Sequence, residues 1–198
     1  MKLSVRSLHR VVVPLLLVAS ALPFAPASAE AAPIPYGYGA PIAIVIDDVV
    51  DGRNLEAFLK LDAPITYAIF PFSAGSARAS AKVIAAGAEP IIHLPIRERR
   101  SRAGGWFLTP GWTQAQMDDW VDRAVASVPG AVGGNNHMGS TTNVRAMRAL
   151  MARLVFHGLF FMDSLTVQDT VAYAAALEAG LPSRINNSFL DTTATVTY

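Results

Sequence analysis

Short apolar runs alternate with amphipathic stretches along the chain from residue 42 onward. Five continuous apolar runs are typical of strands buried on both faces, and they cover residues 42–46, 65–70, 90–92, 131–133 and 159–162. Five other stretches carry apolar residues three or four positions apart, which predicts helices, over residues 53–61, 76–86, 113–127, 142–157 and 170–179. Strands that alternate with helices predict an α/β fold with a parallel sheet, either open or closed into a barrel.

The ends of several predicted helices carry their own signals. Gly87, Gly158 and Gly180 each follow the last periodic residue, where a left-handed C-terminal cap fits glycine. Thr113 and Gln116 have the spacing of an N-terminal capping box. These signals support the predicted helix boundaries.

The N-terminal segment predicts export from the cytoplasm. Three cationic residues precede an uncharged apolar run over residues 11–22, and an A-x-A site follows at residues 27–29. The apolar run is 12 residues long, whereas a membrane-spanning helix needs about 20. We therefore expect residues 1–29 to be a signal peptide cleaved before Glu30, with a retained N-terminal anchor as the alternative. In either case the domain lies outside the cytoplasm, periplasmic or secreted.

The remaining 169 residues suffice for one domain. Residues 30–41 are rich in Ala, Pro and Gly, which predicts a flexible lead-in to a domain over residues 42–198. The chain has no cysteine, so thiolate metal sites and disulfides are excluded.

The charge balance argues against a nucleic-acid partner. Lys and Arg number 16 against 15 Asp and Glu, so there is no net field to attract a polyanion. One basic cluster, Arg97, Arg99, Arg100 and Arg102, surrounds Glu98. We favour a solvated loop over a binding site for an anionic polymer.

Polar residues with metal or acid–base chemistry follow four of the predicted strands. They are Asp47 and Asp48, His93, His137 and Asp163. The carboxyl ends of strands are where β/α architectures build their active sites. The sequence therefore predicts that these side chains share one edge of the sheet.

Asp47 and Asp48 form a carboxylate doublet. Adjacent strand positions point in opposite directions, so one carboxylate could bind a metal while the other accepts a proton from a bound water. The alternative for Asp48, or for Asp51, is an N-cap of the following helix.

His93 and His137 together with one carboxylate make a ligand set that suits zinc, iron or another divalent ion and leaves positions open for water and substrate. The candidate ligands lie about 45 residues apart, so no compact motif supports them. His9, in the signal peptide, and His157, at the end of a helix where its charge would favour the dipole, are given no site role.

The segments IVIDD, IIHLP, GGNNHMGS, FFMDSLT and SFLD, in this order, resemble the divergent polysaccharide deacetylases. The resemblance implies a distorted (β/α) barrel related to the family 4 carbohydrate esterases, with one divalent metal, usually zinc, at the carboxyl ends of the strands. Carried over by motif, the metal ligands would be Asp48, His93 and His137, and Asp47 would be the base. Asp163 and Ser164 match a further motif whose role stays unassigned.

The resemblance also implies a function. A deacetylase would remove N- or O-acetyl groups from a polysaccharide, such as peptidoglycan or an exopolysaccharide. The alternatives are a glycan-binding or envelope protein without catalysis and a chain that does not fold stably.

Three departures from the family pattern bear on these alternatives. The family continues past FLD with helices and a late Gly-His-Pro segment, whereas this chain stops at Tyr198 and residues 192–198 look unlike the family. We therefore expect a C-terminally incomplete barrel whose exposed edge needs a partner or a dimer. Residues 96–99 differ from the Met-Glu-Pro that is usual after HLP, and the position of Arg184 does not match a site residue.

Overall fold

The computed structural model describes residues 42–96, 107–137 and 141–191. In these ranges six strands alternate with five helices. The strands are β1 (Ile44–Val49), β2 (Ile65–Ile69), β3 (Glu89–Leu94), β4 (Gly133–Asn136), β5 (Phe160–Asp163) and β6 (Ser183–Ile185). The helices are α1 (Arg53–Phe58), α2 (Ser76–Ala85), α3 (Gln114–Ser127), α4 (Val144–Phe156) and α5 (Ala172–Glu178).

The strands form one parallel sheet in chain order, β1-β2-β3-β4-β5-β6. Each strand pairs with the one before it, so no crossover skips a neighbour, and the sheet curls into a half-barrel. The predicted α/β architecture of the barrel type is confirmed. Because all strands run the same way, their carboxyl ends lie along one rim, which in such folds carries the chemistry.

A continuous apolar core joins the sheet to its helices. Trp120 of α3 is fully buried, and its ring lies 5.5 Å from that of Phe72 and 6.4 Å from that of Trp112. Other fully buried side chains come from neighbouring elements: Ile69, Ile91, Leu94, Met147, Leu150 and Phe161. This packing holds β3, which supplies His93, against the helices.

The predicted helix ends are confirmed. Gly87, Gly158 and Gly180 have positive φ angles of 74°, 67° and 74°, a conformation that costs glycine nothing. Thr113 accepts from the backbone N–H of Gln116, and the Gln116 side chain accepts from the backbone N–H of Thr113, which completes the capping box.

The strand boundaries differ from those predicted. β1 runs on to Val49, so Asp47 and Asp48 lie inside the strand, and His93 likewise lies inside β3. β6 has only three residues and was not predicted. The predicted strands stop where the apolar run meets its first polar residue. In β1 and β3 the backbone continues as a strand past that residue, so the polar side chains lie within the strand.

Several sequence-based predictions lie outside the described residues. These are the signal peptide 1–29, the lead-in 30–41, the arginine cluster within residues 97–102 and the segment 192–198. No helix in the described ranges has the length and apolar character needed to cross a membrane.

An ion-pair cluster connects α3 to the end of α4. Both oxygens of Asp122 accept from the guanidinium of Arg153, at 2.7 and 2.6 Å, and Oδ1 lies 2.7 Å from Nε2 of His157. Hydrogen bonding to Arg153, and secondly to His157, lowers the pKa of Asp122 from 3.8 to about 2. His157 therefore belongs to this ion-pair cluster.

Acid pH should remove the stabilisation that this cluster provides. Because the pKa of Asp122 is depressed on folding, the contribution is present above about pH 4 and is lost as the pH falls towards about 2. The carboxylate is 40% exposed, so solvent screening reduces the contribution to about 1 kcal/mol. Urea unfolding of Asp122→Asn should therefore show reduced stability at pH 6 and a smaller difference from wild type near pH 3. Asp119→Asn, which alters an exposed pair with Arg123, is the control. An Asp122→Asn deficit that does not shrink with acid would contradict the assignment.

Candidate metal centre

A β-bulge in β1 places the carboxylate doublet. The pairing with β2 shifts register between Ile46 and Val49, and Asp47 and Asp48 occupy the irregular stretch. Asp48 has a φ angle of 56°, in the left-handed region that side-chain-bearing residues seldom adopt. The backbone at this doublet therefore departs from a regular strand, so ideal alternation does not by itself give the side-chain directions. Both aspartates approach His93, one on each side of its ring.

Three side chains bring one donor atom each to a common point. Oδ1 of Asp48 lies 3.1 Å from Nε2 of His93 and 3.1 Å from Nδ1 of His137. The two histidine nitrogens are also 3.1 Å apart. Ligand atoms that each lie about 2 Å from one zinc ion are separated by roughly 3.0–3.4 Å. The donor set therefore fits one small divalent cation.

The surroundings favour the protonation states that bind metal. The adjacent His93 imidazole is the main cause of a pKa of Asp48 below its ordinary 3.8, and charge on either histidine acts in the same direction while burial opposes it. Burial, and then repulsion from His93, lowers the pKa of His137 below its ordinary 6.5. An ionised carboxylate and a neutral imidazole are the forms that coordinate metals.

Asn135 contacts the far side of His93 and was not predicted as a site residue. Its Oδ1 lies 2.8 Å from Nδ1 of His93, and its Nδ2 donates to Oδ1 of Asp47 at 2.7 Å and to Oγ of Ser164 at 3.2 Å. Asn135 is completely buried. The signal available in the sequence was strand alternation, since residue 135 faces the same way as residue 137 if β4 is extended.

Phe70 covers one side of both histidines. Its ring centroid lies 5.2 Å from that of His93 and 4.8 Å from that of His137, in edge-to-face geometry. Such contacts restrict the rotation of both imidazoles. Phe70 directly follows β2, so four neighbouring strands, β1 to β4, contribute to the centre.

Asp163 and Asn136 support the loop after β5. The buried Asp163 carboxylate accepts from Thr170 Oγ1 at 2.8 Å and from the backbone N–H groups of Leu165 and Tyr173 at 3.0 and 3.1 Å. Asn136 accepts from the backbone N–H of Ser164 at 2.8 Å. Asp163 is therefore a loop-anchoring residue, and Ser164 reaches the centre through Asn135.

An alternative raised by the sequence, an aspartate cap of α1, is not realised. The residue before α1 is Gly52, with no side-chain capping bond, so neither Asp48 nor Asp51 caps that helix. Arg184 donates to the carbonyl of its neighbour Ser183 and forms no hydrogen bond with the described ligand candidates.

Two curated bacterial proteins are similar in sequence to this chain. The uncharacterized protein YibQ of Escherichia coli K12 is 34% identical over 154 residues, which cover 76% of this chain and 48% of that protein. An uncharacterized protein of Haemophilus influenzae is 35% identical over 158 residues, covering 76% and 55%. The chain thus spans about half the length of these relatives.

A solved structure shares the fold. The uncharacterized protein ATU2773 from Agrobacterium tumefaciens C58 superposes with a TM-score of 0.67 at 18% identity, covering 76% of this chain and 64% of that one. At this identity the match supports the half-barrel fold alone.

A family model identifies the lineage. The model for divergent polysaccharide deacetylases matches residues 44–198. The match includes residues 192–198, which the sequence pattern had set apart from the family. It also contains the bulged aspartates, both candidate histidines and Asn135. On this evidence the chain belongs to the divergent polysaccharide deacetylase family.

Proposed function

We propose that this protein is a metal-dependent hydrolase that removes N- or O-acetyl groups from a polysaccharide outside the cytoplasm, with peptidoglycan or an exopolysaccharide as the substrate class. The observation that carries the proposal is the triangle of donor atoms from Asp48, His93 and His137, with sides of 3.1 Å. Family membership supplies the substrate class.

Asp48, His93 and His137 would hold the metal. Two imidazoles and one carboxylate suit zinc and leave coordination positions free. When bound there, a divalent ion supplies Lewis acidity, which polarises an acetyl carbonyl and makes water a stronger acid. The chain's own contribution is to keep the three donor atoms close together and to shield one side of both imidazoles with Phe70.

Asp47 is the proposed general base. Its Oδ1 is held by Asn135, while its other oxygen accepts no hydrogen bond from the described residues. The side chain is 32% exposed, so water can reach it. A carboxylate fixed at one oxygen and open at the other can take a proton from a water molecule beside the metal ligands.

Acetate release tests the function directly. The zinc-reconstituted chain should release acetate from acetylated oligosaccharides or acetylated peptidoglycan, and His137→Ala should not. His157→Ala, which alters the cluster at Asp122, is the matched control and should retain activity. Oligosaccharide binding without acetate release by a metal-loaded chain would contradict the enzyme and support a glycan-binding role.

The location is tested by the mature N-terminus. A signal peptide over residues 1–29 should yield a periplasmic or secreted product that begins at Glu30, detectable by mass spectrometry. A membrane-bound product that begins at Met1 would contradict cleavage and leave the anchored alternative.

A further inference from the structure

We infer that Asn135 is a positioning residue that fixes His93 in the tautomer with its proton on Nδ1, so that the lone pair of Nε2 faces Asp48 and His137. The inference rests on the proposed metal site and adds a residue to it. Its basis is a hydrogen-bonded chain of three side chains, Asp47, Asn135 and His93, of which Asn135 and His93 are buried.

The orientation of the Asn135 amide follows from its partner. An ionised carboxylate has only acceptor atoms, so the Asn135 atom that lies 2.7 Å from Oδ1 of Asp47 must be the NH₂ group. The same nitrogen lies 3.2 Å from Oγ of Ser164, which can accept a second hydrogen bond. Both N–H bonds of the amide thereby have an acceptor.

The tautomer of His93 follows in turn. With its nitrogen facing Asp47, Asn135 presents Oδ1 to Nδ1 of His93 at 2.8 Å. An amide oxygen only accepts, so Nδ1 must carry the proton, and a neutral imidazole then has a lone pair on Nε2. Nε2 is the atom that belongs to the donor triangle.

The competing tautomer of His93 carries its proton on Nε2, and Asp48 would stabilise it. Oδ1 of Asp48 lies 3.1 Å from Nε2 of His93 and would accept a proton placed there, which would remove the lone pair that a metal needs. His93 is 2% exposed and Asn135 is fully buried, so water cannot replace the Asn135 oxygen as acceptor for Nδ1. A buried group left without a partner costs about 1–3 kcal/mol. Asn135 therefore opposes the competing form.

The affinity for zinc, measured by competition with a chromogenic chelator, tests the inference without relying on turnover. Asn135→Leu keeps the side-chain size and removes both hydrogen-bonding groups, and it should weaken zinc binding by about 10- to 100-fold, as for other groups that orient metal-bound histidines. Asn136→Ala is the matched control, because this buried neighbour bonds to the loop at Ser164. Its zinc affinity should stay within about threefold of wild type. Wild-type affinity in Asn135→Leu would overturn the inference.

Exchanging the residue types at positions 47 and 135 distinguishes a loss of His93 orientation from a general loss of packing. Asn135→Asp alone sets a second carboxylate against Asp47 with no proton between them, and it should weaken zinc binding at least about tenfold. In the double variant Asp47→Asn/Asn135→Asp, the amide at position 47 donates to the carboxylate at position 135, which again accepts from His93. Zinc affinity should return to within about threefold of wild type. Activity should stay low, because the proposed base is gone. A double variant that binds zinc no better than Asn135→Asp would overturn the inference, and this pair carries the test if Asn135→Leu does not fold.

Nuclear magnetic resonance of the imidazole nitrogens in the metal-free protein gives an independent readout. The chain has four histidines, and His93→Gln identifies the signals of His93. At a pH high enough to keep imidazoles neutral, His93 should show a protonated Nδ1 in wild type and should lose that preference in Asn135→Leu. A protonated Nε2 in wild type, or the same spectrum in both proteins, would overturn the inference. Failure of the wild type to bind zinc would refute the proposed function, whereas this tautomer result would still decide the role of Asn135.

Discussion

Replacement of Asp47 by asparagine is expected to slow deacetylation by about 10² to 10⁴-fold, the usual loss when a general base is removed. Metal affinity should hardly change. The amide oxygen that replaces the carboxylate can still accept the hydrogen bond from Asn135, so the contact that orients His93 stays available. The measurement is kcat on an acetylated oligosaccharide together with the dissociation constant for zinc.

Asp48→Asn is the paired variant for that experiment. Asp48 supplies a corner of the donor triangle, so its replacement should weaken both metal binding and turnover. If Asp47→Asn released the metal while Asp48→Asn retained it, the roles of the two aspartates would be reversed.

Trp120→Ala is expected to destabilise the fold by about 3–5 kcal/mol, because removal of a buried indole leaves a cavity in the core. Trp120 is fully buried between Phe72 and Trp112. Since whole domains are stable by only about 5–15 kcal/mol, such a loss should lower the urea midpoint strongly or prevent folding.

Two further variants show whether that loss comes from core packing. Trp120→Phe should cost less, since the indole N–H has no acceptor among the described residues and its removal exposes no buried partner. Val155→Ala alters an apolar side chain that is 45% exposed on α4 and should change stability by less than about 0.5 kcal/mol. Equal losses for Trp120→Ala and Val155→Ala would contradict the proposed core.

The apolar pattern was sufficient for the fold class, because each amphipathic stretch has a face that must pack on the sheet and each apolar run has two faces to bury. Helix ends were also predictable. The glycines at positions 87, 158 and 180 occupy left-handed conformations, and the capping box at Thr113 is formed. Local chemistry determines these features, so no knowledge of tertiary partners was needed.

The strand-end rule predicted which candidate ligands lie together. Asp48, His93 and His137 are far apart in sequence, and the parallel sheet in chain order places them side by side. The same rule placed Asp163 on this rim without a role, and its carboxylate accepts three hydrogen bonds from the following loop and the start of α5. A strand-end position locates a residue on the rim but does not determine what its side chain contacts.

The β-bulge in β1 and the role of Asn135 could not be predicted from the pattern of apolar and polar residues. Asp48 has a positive φ where the pairing of β1 with β2 shifts register, and alternation along an ideal strand does not predict this irregular backbone. Alternation with residue 137 was the available signal for Asn135, but buried asparagines serve many structural purposes, so the pattern did not mark it as a site residue. Its role depends on its contacts with both Asp47 and His93.

The most direct test of the account is the zinc content of the purified chain after zinc reconstitution and removal of unbound ion. We expect one zinc per chain in wild type and in His157→Ala, and a loss of stoichiometric zinc in His137→Ala, which removes one corner of the triangle. Zinc sites in proteins use three or four protein ligands, so the two donors that remain should not hold the ion stoichiometrically. A wild-type chain without zinc, or a His137→Ala variant that binds zinc as tightly as wild type, would contradict the proposed metal centre.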